Sequence, residues 1–222
     1  METLEFFPDH RSTSKTETPG FYTSHGKRIF DVVFAVLLLP LLVPVIAALW
    51  LLTRRDGGSG FFGHMRIGQN GQPFKCWKVR TMVVGAEGKL KAYLADNREA
   101  AAEWARDQKL SNDPRITRFG DFLRKTSLDE LPQIWNVLKG EMSFVGPRPV
   151  VRDELVRYGP QVGAYLAMRP GITGLWQVSG RNNTSYQERI ELDCQYKHEI
   201  GFSRDLWVIA KTVKSVALRT GQ

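Results

Sequence analysis

One apolar segment limits the folds open to this chain more than any other feature of its sequence. From Ile29 to Leu52 every residue is apolar except Asp31. As a continuous α-helix such a segment would be about 36 Å long, enough to cross a hydrocarbon layer of about 30 Å. Pro40 and Pro44 lie near its centre, however, and a proline inside a helix removes a backbone hydrogen bond and favours a bend.

The charges beside this segment favour one membrane topology. Lys27-Arg28 precedes it and Arg54-Arg55 follows it. Because basic residues are enriched on the cytoplasmic side of membranes, a straight spanning helix would place one pair on the unfavourable side. We therefore expect a re-entrant helix that bends at its two prolines and enters and leaves by the same face. A straight span and a buried helical hairpin of a soluble protein are the alternatives.

Composition narrows the class of protein further. The 222 residues, of which 42% are hydrophobic, can form one sizeable core, while residues 1–26 have the composition of a disordered tail. The formal charge of +8 predicts an anionic partner: nucleic acid, a lipid surface or a phosphorylated substrate. Cys76 and Cys194 lack metal-type spacing and favour a reducing compartment. The histidines are scattered, which argues against a zinc site.

An adjacent carboxylate pair, Asp129-Glu130, is the strongest candidate for chemistry. Pro132 favours a helix that starts close to it, which leaves the pair at the helix entrance. There the helix dipole favours carboxylates and would also attract a phosphate. Ser127-x-x-Glu130 also matches a capping box, and from spacing alone this structural role is the commoner outcome.

Several basic residues are candidates for binding an anion. Lys78 and Arg80 lie on the outer side of a hairpin predicted around Asn70-Gly71, where they either solubilise the edge or bind a ligand. Arg148 is held between two prolines, which suits phosphate binding or a structural hydrogen bond. A glycine-punctuated loop with Arg169 and Arg181 at its ends either offers amides to an anion or makes a tight turn.

The rest of the sequence predicts helices. Residues 86–109 form an amphipathic helix with a break near Asp96-Asn97, and residues 115–125 and 186–219 carry basic residues beside apolar aromatic faces. Such helices lie on anionic lipid or pack against a core. We therefore predict an α+β fold that is predominantly helical, with a re-entrant N-terminal helix and amphipathic interfacial helices around a small β element.

Five motifs occur together and in one order. They are Lys27-Arg28-Ile29-Phe30-Asp31, Phe74-Lys75-Cys76-Trp77-Lys78-Val79-Arg80-Thr81-Met82, Leu123-Arg124-Lys125-Thr126-Ser127-Leu128-Asp129-Glu130-Leu131-Pro132-Gln133, Phe144-Val145-Gly146-Pro147-Arg148-Pro149 and Arg169-Pro170-Gly171-Ile172-Thr173-Gly174. This set closely resembles the monotopic phosphoglycosyl transferases, also called bacterial sugar transferases, over roughly residues 27–220. It is similar to the minimal catalytic form of that family. Relatives often carry Ser-Pro at the membrane bend, whereas this chain has Leu39-Pro40.

The resemblance implies a reaction. Such enzymes move a sugar 1-phosphate from a UDP-sugar to polyprenyl phosphate, release UMP and require Mg²⁺, through a phospho-aspartate intermediate. That implies a bacterial inner-membrane protein in exopolysaccharide synthesis, with membrane lipid as a partner, no nucleic acid, and room for a homodimer. Residues 1–26 would then be a cytoplasmic tail, 27–55 the re-entrant helix and 56–222 a cytoplasmic catalytic domain. A basic membrane scaffold or nucleic-acid-binding protein is the alternative, and the identity of the sugar stays open.

The resemblance also implies roles for single residues. Asp129 corresponds to the nucleophile and Glu130 to the residue tied to the metal, so both are expected catalytic residues and Mg²⁺ ligands. Arg124 and Arg148 correspond to arginines that serve phosphate. Two further acids, Asp193 and Asp205, are expected to contribute to the substrate site.

Overall fold

The computed structural model describes residues 20–107, 109–180 and 184–217, and the chain is mostly helical with two small sheets, as predicted. In chain order the elements are α1 (Lys27–Thr53), β1 (Phe61–Ile67), β2 (Pro73–Val79), α2 (Ala86–Asp96), α3 (Arg98–Asp107), α4 (Arg118–Lys125), α5 (Gln133–Lys139), β3 (Ser143–Val145), α6 (Arg152–Leu155), α7 (Val162–Leu166), β4 (Gly171–Thr173), α8 (Leu175–Ser179), α9 (Tyr186–Glu199) and α10 (Phe202–Ala217). The predicted long helix over 86–109 is divided at Asn97, close to the expected break.

Strands β1 and β2 form the predicted hairpin. They pair antiparallel, with Phe62 opposite Lys78 and Arg66 opposite Phe74. The connection is a short 3₁₀ turn in which Asn70 has a φ of 56°, a left-handed conformation that asparagine tolerates better than most residues. The Asn-Gly signal in the sequence therefore marked the turn correctly.

The second sheet explains why glycines occur at positions 146 and 171. Strands β3 and β4 are parallel, with Ser143 beside Gly171 and Val145 beside Thr173. A Cβ added to Gly171 would lie 2.2 Å from the backbone nitrogen of Gly146, so no side chain fits where the two strands meet. Of the two interpretations of the loop that begins at Arg169, the structure therefore supports a tight turn into a short strand.

The two prolines of the apolar segment do not interrupt helix α1. It is helical without interruption from Lys27 to Thr53, so no turn forms at Pro40 or Pro44. Each proline removes one backbone hydrogen bond, whereas an open turn would leave several backbone groups unpaired among apolar side chains. Side chains on either side of the prolines, including Leu39 and Leu42, pack against the main core and hold this part of the helix in place.

Both halves of α1 contact the rest of the protein. Near its N-terminus the Asp31 carboxylate accepts hydrogen bonds from the Ser143 hydroxyl and the Phe144 amide, both at 3.0 Å. Near its C-terminus Leu49 packs with Val79 and Leu123 in a second buried cluster. The rest of the domain therefore packs against both halves of this helix and not only against one end.

Part of the segment that was expected to be disordered is helical. Its residues 1–19 lie outside the described residues, but Tyr22–Gly26 forms a π-helical turn that continues into α1. The Tyr22 hydroxyl donates to the Asp205 carboxylate on α10 at 2.7 Å. A tertiary hydrogen bond therefore holds the last residues of the predicted tail, Tyr22–Gly26, against α10.

Candidate active site

The carboxylate pair lies where the hairpin, α4 and α5 meet. Asp129 and Glu130 belong to a 3₁₀ turn, Leu128–Glu130, between α4 and α5. Leu128 and Leu131 on either side of the pair pack against the buried Val79 and Leu123. These apolar contacts hold the acidic turn against the end of β2.

Lys78 on β2 faces both carboxylates. Its Nζ lies 2.5 Å from Glu130 Oε1 and 3.7 Å from Asp129 Oδ2. Burial disfavours the charged ammonium, but attraction to Glu130 and Asp129 is stronger and raises the pKa of Lys78. Of the two interpretations of Lys78, the structure favours a ligand-facing role, because its charge points at the candidate site.

Asp129 is the more buried of the two acids, with 6% of its surface exposed. Burial raises the pKa of its carboxyl to about 6. The positive charges of Lys78 and Arg124 oppose this rise, and the negative charge of Glu130 adds to it. The Asp129 carboxylate is thus ionised near neutral pH but poorly solvated. A poorly solvated anion beside a cation is a suitable nucleophile for an electrophilic phosphorus.

Arg124 presents its charge at the same site. Its Nε donates to the Thr81 hydroxyl at 2.9 Å, and the residue is otherwise exposed. Its charge lowers the pKa of the Asp129 carboxyl. The structure thus brings Arg124, Lys78, Asp129 and Glu130 together, as the sequence predicted.

The predicted capping box at Ser127 does not form. Ser127 has a φ of 57°, and its side chain makes no capping hydrogen bond. Left-handed backbone at a residue other than glycine is unfavourable by about 1 kcal/mol, and such conformations concentrate at functional sites. A capping box does form at Ser185 and Glu188, at the start of α9.

Asn136 is a site-supporting residue that sequence reasoning missed. Its fully buried side chain accepts from the Trp77 amide at 3.1 Å and donates to the Lys75 carbonyl at 2.8 Å. It also donates to Glu141 Oε2 at 2.6 Å. Asn136 therefore pairs the free edge of β2 with α5 and fixes the strand that carries Lys78. No short motif signals such a contact, because its partners are distant in sequence.

Arg80 lies in a different environment from Lys78. All five of its guanidinium N–H groups have acceptors within the described residues, which are the Asp56 carboxylate and the carbonyls of Thr53, Ser59 and Met82. Arg80 therefore fastens the end of α1 to the hairpin and has no donor left for a phosphate. The prediction that it binds substrate is corrected on this ground.

Arg169 is placed at the far end of α5 from the acidic pair. Its Nε donates to the Gly140 carbonyl at 2.9 Å, beside Arg28, which donates to the carbonyls of Val137 and Leu138. Cations at a helix C-terminus satisfy carbonyls that have no partner within the helix. Arg169 thus caps the C-terminal end of α5 through its Nε, and its predicted phosphate contact stays a prediction.

The two additional acids are structural. Asp205 is fully buried and accepts hydrogen bonds from Tyr22, Lys27 and Tyr196. Asp193 is also buried and accepts from the Tyr158 hydroxyl at 2.8 Å; burial raises the pKa of its carboxyl to about 7. Neither contacts the acidic pair in the structure, and their contribution to the substrate site stays a prediction. Arg181 lies outside the described residues.

A divalent metal ion could be held by the acidic pair. Asp129 and Glu130 offer the carboxylate oxygens that Mg²⁺ prefers, and the Glu130 side chain is 36% exposed. No group of three acidic, histidine or cysteine side chains suited to a metal occurs among the described residues. Mg²⁺ is commonly bound by one or two carboxylates, with water and phosphate oxygens completing its coordination, so the residues fit this ion.

Comparisons with known proteins identify the family of this chain. A profile of the family described as Bacterial sugar transferase matches residues 22–219. The undecaprenyl-phosphate galactose phosphotransferase of Salmonella typhimurium is 50% identical over 195 residues, which is 88% of this chain and 41% of that protein. The exopolysaccharide production protein ExoY of Sinorhizobium fredii is 48% identical over 197 residues, covering 88% of this chain and 87% of ExoY.

A more distant relative is the UDP-glucose:undecaprenyl-phosphate glucose-1-phosphate transferase of Escherichia coli, 37% identical over 84% of this chain and 39% of that protein. The chain belongs to the bacterial sugar transferase family. It spans about two fifths of the Salmonella and Escherichia proteins but most of ExoY.

Proposed function

We propose that this protein transfers a sugar 1-phosphate from a UDP-sugar to polyprenyl phosphate at a bacterial inner membrane, with release of UMP. The observation that carries the proposal is the cluster of buried Asp129 with Lys78, Glu130 and Arg124. The names of the relatives support the substrates, since three of them refer to undecaprenyl phosphate or a lipid carrier. Exopolysaccharide synthesis is the process that the ExoY relatives indicate.

The proposed mechanism has two displacements at one phosphorus. In the first, an Asp129 oxygen bonds to the β-phosphorus of the UDP-sugar, and the bond from that phosphorus to the bridging oxygen breaks. UMP leaves with this oxygen and its electron pair. In the second, a phosphate oxygen of polyprenyl phosphate attacks the same phosphorus and the acyl-phosphate bond breaks, which restores the carboxylate. Asp129 neither gains nor loses a proton over the cycle.

Each nearby group has a defined task in this scheme. Lys78 orients the two carboxylates and, with Arg124, offsets negative charge that would otherwise repel the incoming phosphates. Glu130 and Asp129 would hold Mg²⁺, which when bound neutralises charge on the phosphoryl oxygens. Since Asp129 must be ionised to attack, the rate is expected to fall as the pH drops below about 6.

We also propose that α1 and the helices beside the site bind the membrane, with the catalytic part on the cytoplasmic face. Leu37 and Leu41 on α1 are 71% and 66% exposed, and the large aromatic residues Phe122 and Trp135 are 49% and 55% exposed on α4 and α5. Such extensive apolar exposure is unfavourable in water and is expected at a lipid interface. A polyprenyl phosphate in the bilayer would then present its headgroup at the level of the site.

The test is release of UMP from purified protein mixed with Mg²⁺, polyprenyl phosphate and a panel of UDP-sugars. We expect UMP with at least one sugar, a covalent sugar-phosphate adduct on the wild type, and neither with Asp129→Asn. UMP without an adduct would support direct transfer in place of the two-step mechanism. If no sugar yields UMP, the proposed reaction is wrong and a scaffold role becomes the better interpretation.

A further inference from the structure

A second basic group lies at the opposite end of the hairpin from Lys78. Arg66, near the end of β1, is next to Ile67, which forms an antiparallel bridge with Val150 through a 2.9 Å hydrogen bond. The Tyr165 hydroxyl strengthens this junction by donating to the Ile67 carbonyl and accepting from the Val150 amide. The bridge brings the Pro147-Arg148-Pro149 turn beside Arg66.

The charges at this junction are not balanced. Arg66 and Arg148 are both half-buried, and burial together with the Arg148 charge lowers the pKa of Arg66. The nearest acid, Glu154, lies 4.0 Å from Arg66, beyond hydrogen-bond distance, and its Oε2 atom is buried without a partner. Within the described residues neither arginine side chain has a hydrogen-bond acceptor. Two partly buried guanidinium groups beside one acid are therefore left with excess positive charge and unused donors.

This arrangement differs from that of the other predicted arginines. Arg80 donates all five of its guanidinium N–H groups to the Asp56 carboxylate and to protein carbonyls, and Arg169 donates its Nε to the Gly140 carbonyl. Arg148 is held by prolines on both sides and Arg66 by a paired strand, so their orientation is fixed at little entropic cost when a ligand binds. Guanidinium pairs of this kind match the oxygens of a phosphate group.

The position of the pair relates it to the acidic site. In the hairpin register Arg66 lies opposite Phe74, four residues along β2 from Lys78, which corresponds to about 13 Å. Side chains at these alternate positions share one face of the hairpin, with Cys76 between them. The two basic groups therefore lie at opposite ends of one face of the hairpin, with the buried Phe74 and Cys76 between them.

We propose that Arg66 is a further substrate-binding residue of this protein, which binds the same phosphate group as Arg148, for which the family resemblance implies a phosphate contact. The inference rests on the proposed function for the source of the phosphate, which is either the nucleotide or the polyprenyl carrier. The chemistry is the same in both cases: a phosphate group accepts charge-assisted hydrogen bonds from the two guanidinium groups.

Binding of inorganic pyrophosphate to the full chain in detergent, followed by calorimetry, tests the site without relying on the reaction. We expect Arg66→Gln to weaken binding about tenfold or more, since a hydrogen bond to a charged group contributes about 1.5–3 kcal/mol. Arg98→Gln, an exposed arginine on α3, removes the same charge elsewhere and should leave binding nearly unchanged. Arg66→Lys keeps the charge without the planar fork and should bind with intermediate affinity.

Kinetics then identify the source of the phosphate. A higher KM of Arg66→Gln for the UDP-sugar, with slower UMP release in a single turnover without acceptor, assigns the site to the nucleotide. A higher KM for polyprenyl phosphate, with an unchanged first half-reaction, assigns it to the lipid carrier. If the wild type yields no UMP from any sugar but pyrophosphate binding still depends on Arg66, the site stands and the proposed function fails.

Two results would overturn the inference. One is unchanged pyrophosphate affinity and unchanged KM values in a folded Arg66→Gln protein. The other concerns Glu154→Gln, which removes the competing carboxylate and should bind pyrophosphate at least as tightly as the wild type. If Glu154→Gln weakens binding as much as Arg66→Gln does, Arg66 and Glu154 form only a structural ion pair.

Discussion

Replacing Asp129 with asparagine should stabilise the protein while it removes the proposed nucleophile. The carboxyl group has an ordinary pKa of 3.8 and a pKa of about 6 in the fold, because burial disfavours its charged form. At 1.36 kcal/mol per pKa unit, this difference corresponds to about 3 kcal/mol of destabilisation when Asp129 is ionised. A neutral amide of the same shape avoids that penalty.

The sign of the pH dependence follows from the raised pKa. Between about pH 4 and pH 6 the folded wild type binds more protons at Asp129 than the unfolded chain does, so its stability falls as the pH rises through this window. The stability of Asp129→Asn lacks this contribution. The difference between the two proteins should therefore grow from near zero at about pH 4 to its full value above about pH 6.

Thermal melting in detergent at a series of pH values measures this effect. For a chain of this size about 3 kcal/mol corresponds to a rise in melting temperature of roughly 6–12 °C at pH 7.5. Asp121→Asn is the control, because the side chain of Asp121 is 53% exposed and its loss should change stability by no more than about 0.5 kcal/mol. If Asp129→Asn melts at or below the wild-type temperature at pH 7.5, then Lys78 fully compensates the buried charge and our reasoning about this site is wrong.

Three other substitutions test the surrounding structure. Lys78→Gln removes a charge that lowers the pKa of Asp129, so the acidic limb of the pH profile of UMP release should move above pH 6; an unmoved limb would contradict the coupling. Asn136→Ala leaves the Lys75 carbonyl and the Trp77 amide unpaired, so it should lower the free energy of unfolding by about 2 kcal/mol or more and reduce activity. An unchanged melting temperature would show that β2 does not depend on this contact. Asp205→Asn leaves Lys27 without its buried partner, so it should lower the free energy of unfolding by about 3 kcal/mol, measured as a lower melting temperature. The KM for the UDP-sugar should not change. An altered KM would show that Asp205 contributes to the substrate site.

The residues of the acidic site could be predicted because their positions depend on local structure. Arg124, Asp129 and Glu130 lie within one short helix–turn–helix segment, so a single motif fixes their separation. The hairpin that carries Lys78 was likewise marked by its turn residues. Where the sequence fixes the local conformation, it also fixes which side chains can meet.

The roles of the other polar residues could not be predicted in this way. Asp205 and Tyr22 are separated by 183 positions in the sequence, and Trp77 and Asn136 by 59. Whether an arginine or aspartate binds a ligand or a neighbouring carbonyl depends on such distant partners. The sequence predicts the same environment for Lys78 and Arg80, which are two residues apart, but Arg80 follows the end of β2 and only Lys78 faces the acids.

Helix α1 shows what a nearly uniform apolar sequence still encodes. Asp31, Ala35, Leu49 and Thr53 are its buried residues. At 100° per residue, Asp31 and Leu49 point in the same direction, and Ala35 and Thr53 lie about 40° away. These four residues therefore mark the face that packs on the domain, and two of them, Asp31 and Thr53, are polar. Asp31 and Thr53 are about 33 Å apart along a straight helix axis, and both contact the same domain, through β3 and Arg80. A straight membrane crossing would carry part of that domain into the hydrocarbon layer, so a helix with both ends near one membrane face remains the topology that we propose.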